Sequence, residues 1–250
     1  MVQSANHYFD KVVLITGAGR EPGNYLSAAF AQWGAVSAFN DLTPLGLEET
    51  MRSIAEAGGK GKAYLHDVAK RMPAQALVDQ VLEDWQRIDI LVNCSAVNPS
   101  QSITEMDEWD WHRTLDVNLS GAFIMLQQVS RIMRKQGGGA IINLAGWYGE
   151  ELPSKSNHAA FLASQMGLAG LTLSAAEELE EEHIRVNQIC LGLMDVLVDR
   201  VDPDLRKELL AKDATPKDRL VRIVHFLCNP LAGGPTGQVV NLESEPVVNF

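Results

Sequence analysis

Strand-like and helix-like segments alternate along almost the whole chain, and this order limits the fold more than any other feature. "KVVLITG" (Lys11 to Gly17) is a short β-branched run closed by glycine, the pattern of a buried strand. "GNYLSAAFAQWGA" follows with helical spacing and stops at Gly34. The alternation continues through "AVSAFND", the amphipathic "LGLEETMRSIAEAGG", "KAYLHDV", "PAQALVDQVLEDWQ" and "RIDILVNCSA". "DEWDWHRTLDVNLSGAFIMLQQVSRIMRKQGGG" reads as one long helix closed by glycines, and "AIINLAG" as the strand after it. A second long helix from about Ala159 to Glu182 leads to "IRVNQICLG". An irregular or partly helical stretch from Leu193 to Pro216, the helix "KDRLVRIVHFLC" and the strand "GQVVNLE" complete the order.

Strands that alternate with helices pair in parallel through right-handed crossovers, which cover both sheet faces. The expected fold is therefore α/β. It is a single doubly wound Rossmann-type domain over residues 1–250, with a seven-stranded parallel sheet flanked by helices. No linker, internal repeat or low-complexity tract interrupts the pattern.

Charge and cysteine usage narrow the function classes. The formal net charge is −11, which argues against nucleic acid or an anionic membrane surface as a partner. Part of the excess lies in "EELEEEH" (Glu177 to His183), the pattern of a solvated helix end. Cys94, Cys190 and Cys228 are far apart, lie in apolar segments and show no metal-ligand spacing. Buried reduced thiols, and with them a cytoplasmic location, are expected. The N-terminal "MVQSANHYFDKVV" carries no signal pattern, and no apolar run is expected to span a bilayer.

In a doubly wound sheet, ligands bind at the carboxyl ends of the strands, where strand order reverses. The first such turn is "TGAGREPGN" (Thr16 to Asn24). Glycines there let backbone approach a pyrophosphate, and the following helix N-terminus attracts its charge. Asp41 ends the second strand, where a carboxylate accepts from a ribose hydroxyl and repels a 2′-phosphate, favouring NAD over NADP.

Taken together, these segments resemble the short-chain dehydrogenase/reductase family, over nearly the whole chain. "TGAGREPG" is similar to its TGxxxGxG turn, "HDV" (His66 to Val68) to its adenine-side segment, and "IDILVNCSA" to its LVNNAG strand end. "LDVNLSGAF" is similar to the helix that carries its active-site asparagine, here Asn118. The resemblance implies remnant cofactor contacts at Gly17, Gly23, Asp41, Asp67 and Asn93. It also exposes departures. Glu21 stands where the family has the middle glycine, and a carboxylate there opposes a pyrophosphate by on the order of 4 kcal/mol at close approach. Val196 stands where a threonine often holds the nicotinamide amide, and Ala96 replaces a glycine.

The chemical centre departs further. The family protonates or deprotonates its substrate oxygen with a tyrosine, and a lysine one helical turn on lowers that tyrosine's pKa. Phe161 and Gln165 occupy these positions, and the serine position is Gly146 or Ala145. Of the set only Asn118 is retained. A placed acid or base is worth about 10²–10⁴ in rate. Tyr148 is the outside candidate for a relocated centre, with Lys155 and His158 in the same loop. Cys94 lacks an assignable base, and His112 and His66 lack partners spaced for a metal.

The first expectation is thus a non-catalytic subunit that braces an active paralogue. In this chain NAD(H) binding is absent or weak, and the partner holds NAD. The closest type is the inactive subunit of heteromeric short-chain dehydrogenases, such as the hydroxyacyl-CoA dehydrogenase of anaerobic toluene (benzylsuccinate) degradation. The helices over 107–135 and 159–182 supply apolar faces for hetero- or homo-oligomerisation. The alternatives are an active NAD-dependent oxidoreductase with displaced groups, and a nucleotide-binding sensor. No metal is expected.

Overall fold

The computed structural model describes residues 7–146, 157–191, 215–229 and 233–242. Tyr148, Lys155 and Val196 lie outside them, as does most of the stretch from Leu193 to Pro216. The seven strands are β1 (Val12–Thr16), β2 (Val36–Asp41), β3 (Lys60–Leu65), β4 (Ile90–Asn93), β5 (Gly139–Gly146), β6 (Ile184–Leu191) and β7 (Val239–Asn241). They form one parallel sheet in the order β3-β2-β1-β4-β5-β6-β7. Strand order reverses between β1 and β4, which sets the switch point at their carboxyl ends.

The helices are α1 (Gly23–Gln32), α2 (Leu47–Glu56), α3 (Arg71–Trp85), α4 (Glu108–Leu115), α5 (Gly121–Gln136), α6 (Ala159–Leu179) and α7 (Pro216–Cys228). Strand alternation sends Val13 and Ile15 to one face of the sheet and Val12 and Leu14 to the other. On the first face they meet Leu26 and Phe30 of α1, Ile54 of α2 and Leu220 and Val224 of α7. On the second they meet Leu77 of α3, Met125 and Val129 of α5 and Leu179 of α6. Each such side chain, fully buried, contributes about 1.5–3 kcal/mol.

Two expectations are corrected here. The long helix is not uniformly α. Between α4 and α5 the chain takes a π turn, Asp116–Ser120, around the buried Asn118. Such a widened turn trades regular hydrogen bonding for placement of a side chain. Second, α6 with its 3-10 extension, Ala159–Glu182, does reach the length and composition of a membrane span. Half of its most apolar window is buried inside the molecule, so that apolarity serves the core, against β5 and β6. The acidic run ends this element: Glu180 and Glu181 are exposed, and Glu182 pairs with Arg134.

Candidate active site and nucleotide cleft

The cleft begins with a turn that backbone packing alone explains. Gly17 has φ +66°, and a Cβ there would lie 2.8 Å from the Ser95 amide nitrogen. A Cβ on Gly23 would lie 2.6 Å from the Gly17 carbonyl oxygen. Both glycines are therefore required for the turn to fit between β4 and the start of α1. Thr16 ties the two strand ends together, its Oγ1 accepting from the Cys94 amide at 3.1 Å. The Asp41 carboxylate accepts from the Gly19 amide at 2.9 Å and from the Leu42 amide at 2.7 Å.

Two chambers open along these strand ends. The inner one, about 420 Å³, is walled by the glycine turn, Asp41, Asp67, Val68 and Val117. The outer one, about 490 Å³, is walled by Pro22, Glu21, Cys94, Leu144, Trp109 and Phe161, among others. Arg20, Ala96, Val97 and Arg113 line both. Arg20 crosses from the turn to the β4 side, where its Nη2 donates to the Ala96 carbonyl at 2.6 Å. The inner end fits a nucleoside, because Asp41 retains acceptor capacity for a sugar hydroxyl. Arg20 and Glu21 flank the passage between the chambers, a guanidinium that attracts a pyrophosphate beside a carboxylate that opposes it.

The outer chamber contains the positions read as catalytic. Phe161 is 1% exposed and Gln165 is 1% exposed, both in the first turns of α6. Gln165 Oε1 accepts from the Gly146 amide at 2.7 Å, and its Nε2 donates to Ser164 Oγ at 3.3 Å. Gly146 lines the chamber, whereas Ala145 packs into the core between β5 and α6. Gly146 is therefore the residue at the serine position that faces the site. Asn118 accepts from the Val97 amide at 2.8 Å and donates to the Val97 carbonyl at 2.9 Å and to Ser164 Oγ at 3.0 Å. Its polar atoms clamp the loop after β4. Ser164, which completes this buried network by donating to the Phe161 carbonyl at 2.6 Å, escaped the sequence reading. Its signal was its place next to Gln165, on the face that carries Phe161.

Asp67, His66 and Cys94 line the chambers, and the other expected residues fall elsewhere. Asn93 is buried and donates to Asn143 Oδ1 at 2.9 Å, bracing β4 against β5 rather than lining either chamber. Asp67 accepts from the Ala69 amide and lies 3.7 Å from Arg113 and from Lys70. His158 is buried, with Nδ1 2.8 Å from Asn98 Oδ1, and is not a free loop side chain. His112 lies 3.5 Å from Glu108 on the helix surface, and His66 lies 3.1 Å from Gln80. Cys190 and Cys228 are buried, with thiols pushed up to about 11 and about 12 by desolvation. Cys94 is only half-buried, a correction to the expected full burial, yet desolvation pushes its thiol up too. None of these is a poised thiolate. Among the described residues no group of three His, Cys, Asp or Glu converges. Trp109, Asp110, Arg113 and Thr114, which form one wall of the outer chamber, were not singled out from sequence. Their i, i+1, i+4, i+5 spacing at the start of a helix was the available sign.

The fold and cleft together define a doubly wound α/β domain of the nucleotide-dependent oxidoreductase type. Residues 11–204 match the family model for short chain dehydrogenase. An uncharacterized oxidoreductase of Thermotoga maritima is 34% identical, over 93% of this chain and 96% of its own. Subunit BbsD of a hydroxy(phenyl)methylsuccinyl-CoA dehydrogenase of Thauera aromatica is 28% identical, over 92% and 94%. A short chain dehydrogenase from Mycobacterium smegmatis superposes with a TM-score of 0.80 at 25% identity, over 98% and 96%. The chain belongs to the short-chain dehydrogenase/reductase family.

Proposed function

We propose that this chain is a non-catalytic subunit built on the short-chain dehydrogenase fold. It braces an active paralogue, in the cytoplasm, within an NAD-dependent hydroxyacyl-CoA or alcohol dehydrogenase complex whose NAD is held by the partner. One observation carries this reading: a phenyl ring and a carboxamide fill the positions of the proton donor and its cation. The Phe161 ring has no exchangeable proton. The Gln165 amide carries no charge and is spent on Gly146 and Ser164. Groups that act as a unit fail together, so retaining Asn118 does not preserve the chemistry. The surface for a partner is the outer face of α6, where Ala163, Met166, Gly170 and Leu173 are exposed, with Phe123 exposed on α5. That one of the relatives is named a subunit of a CoA-ester dehydrogenase supports the class of complex.

A second reading is an active NAD-dependent oxidoreductase with displaced groups. Its support is that relatives matching over more than 90% of the chain are named oxidoreductase or dehydrogenase, and that a chamber of about 490 Å³ persists beside Phe161. Its candidate group is Tyr148. Spectrophotometric assays of the isolated chain with NAD⁺ or NADH and alcohols, ketones and hydroxyacyl-CoA esters decide between the two. We expect no turnover above background. Turnover that disappears in Tyr148→Phe would replace the first reading with the second.

A further inference from the structure

The edge of the sheet opposite the cleft carries a cavity of its own. Lys11 precedes β1, Asp89 precedes β4, and Gly139 and Ile184 begin β5 and β6. With Arg87, Arg185 and Glu180 they line a space of about 560 Å³, within the range of small-molecule sites of roughly 300–1,000 Å³. The chain has a formal net charge of −11, yet here three cations, Lys11, Arg87 and Arg185, stand against two carboxylates, Asp89 and Glu180. Both arginines are half-buried, and each has part of its guanidinium tied down. Arg87 donates from Nε and Nη2 to the Asp89 carboxylate at 2.7 and 2.6 Å. Lys11 Nζ and the Val12 amide donate to the same two oxygens. A carboxylate offers about four acceptor sites, so Asp89 is filled. Asp10 adds an electrostatic attraction to Arg87. Arg185 donates from Nη1 to the Leu227 carbonyl and from Nη2 to the Cys228 carbonyl, at the end of α7. Those acceptors are neutral, and among the described residues no carboxylate pairs with Arg185. A guanidinium has five N–H donors, so with two spent each arginine keeps three.

We propose that this cavity binds a phosphate group, held between the Arg87 and Arg185 guanidinium groups with Lys11 beside them. Phosphate oxygens accept the paired N–H groups of a planar guanidinium, and a charged acceptor is bound roughly twice as strongly as a neutral one. Asp89 is buried and holds Arg87 and Lys11 in place, whereas Glu180 is exposed and free to turn to water. The acidic surface opposes unspecific uptake of an anion, so binding has to come from this local excess of positive charge. The site uses neither the nucleotide cleft nor the outer chamber, and it goes beyond the non-catalytic reading without depending on it.

Isothermal titration calorimetry and thermal melting of the full chain with orthophosphate and with glycerol 3-phosphate test it. Both probes bind and raise the melting temperature. Tighter binding of the ester assigns the site to an organic phosphate, and tighter binding of orthophosphate assigns it to the free ion. Arg185→Gln keeps a donor for the α7 carbonyls but loses the charge, and weakens binding about tenfold. Lys11→Gln changes a side chain that is 32% exposed, keeps the parent melting temperature without ligand and weakens binding about threefold. Should Arg185→Gln lose its fold, Lys11→Gln decides alone. Arg20→Ala, in the cleft at the other edge of the sheet, leaves both affinities unchanged. Absence of binding by either probe overturns the proposal. So does binding that survives intact in Arg185→Gln and Lys11→Gln, or that disappears in Arg20→Ala.

Discussion

At the residue scale, the glycine turn separates packing from ligand binding. Gly17 and Gly23 are retained, and each has backbone of its own chain within 3 Å of where a side chain would begin. The middle position of the motif is the one whose backbone approaches a pyrophosphate, and it has become the exposed Glu21. The fold enforces the two outer glycines; only a ligand enforces the middle one. The same logic applies around Gln165. Its Oε1 accepts from the Gly146 amide, within a network that includes Ser164 and Asn118. Restoring a lysine there strands that amide and desolvates an ammonium group. Gln165→Lys is expected to destabilise the fold by about 2–3 kcal/mol in urea denaturation, the cost of an unmet buried donor plus a buried charge. A neutral effect would mean that the pocket around position 165 is still shaped for a cation. The replacement of the family's tyrosine and lysine was legible because Phe161 and Gln165 are four residues apart on an evident helix. The Arg20 strut and the two amides on Asp41 were not, because a sequence gives no direction for an exposed side chain.

At the scale of elements, β-branched runs and glycine stops made the strands and most helices readable, since burial and period leave few choices. The π turn at Asp116–Ser120 was not readable. It depends on the Asn118 bonds to Val97, a contact across 21 positions that no local pattern encodes. A comparable long-range tie joins β1 to β4 at their amino ends. Asp89 accepts from Arg87 Nε at 2.7 Å and Nη2 at 2.6 Å, from Lys11 Nζ at 3.2 Å and from the Val12 amide at 2.9 Å. Burial pushes its carboxyl up, but these hydrogen bonds and charges outweigh that and hold it below its ordinary value. A depressed carboxyl contributes stability that is complete above its unfolded pKa of about 3.9 and is lost as pH falls through its lower folded value. Asp89→Asn should therefore cost about 2 kcal/mol at neutral pH, in the range for charge-assisted hydrogen bonds. The gap to the parent should narrow as the pH falls below about 4. Thermal melts of both proteins from neutral to acid pH measure it. A gap that stays constant across that range would show that the ion pairs contribute nothing beyond shape.

For the whole molecule, the proposed partner would sit on the outer face of α6. Alanine, methionine, glycine and leucine alternate along it at positions 163, 166, 170 and 173, and space over Gly170 is free of heavy atoms to 4 Å. Exposed singly such residues are ordinary, but as a stripe of helical period they form a seam that a second helix can approach closely. Met166→Glu with Leu173→Glu leaves the core intact, because both side chains are already exposed, and places two charges in that seam. The double variant should keep the parent melting temperature and lose association, read by native mass spectrometry of material co-expressed with a candidate active paralogue. Ionic strength then distinguishes the two kinds of assembly. A copy of this chain brings the same net charge of −11, so self-association is opposed at long range and strengthens as salt shortens the screening length to about 10 Å near 0.1 M. A paralogue of less acidic surface meets no such repulsion, and its association weakens or stays level over the same range. Assembly that strengthens with salt and needs no second chain would assign the seam to a homomer and remove the partner from the proposed function.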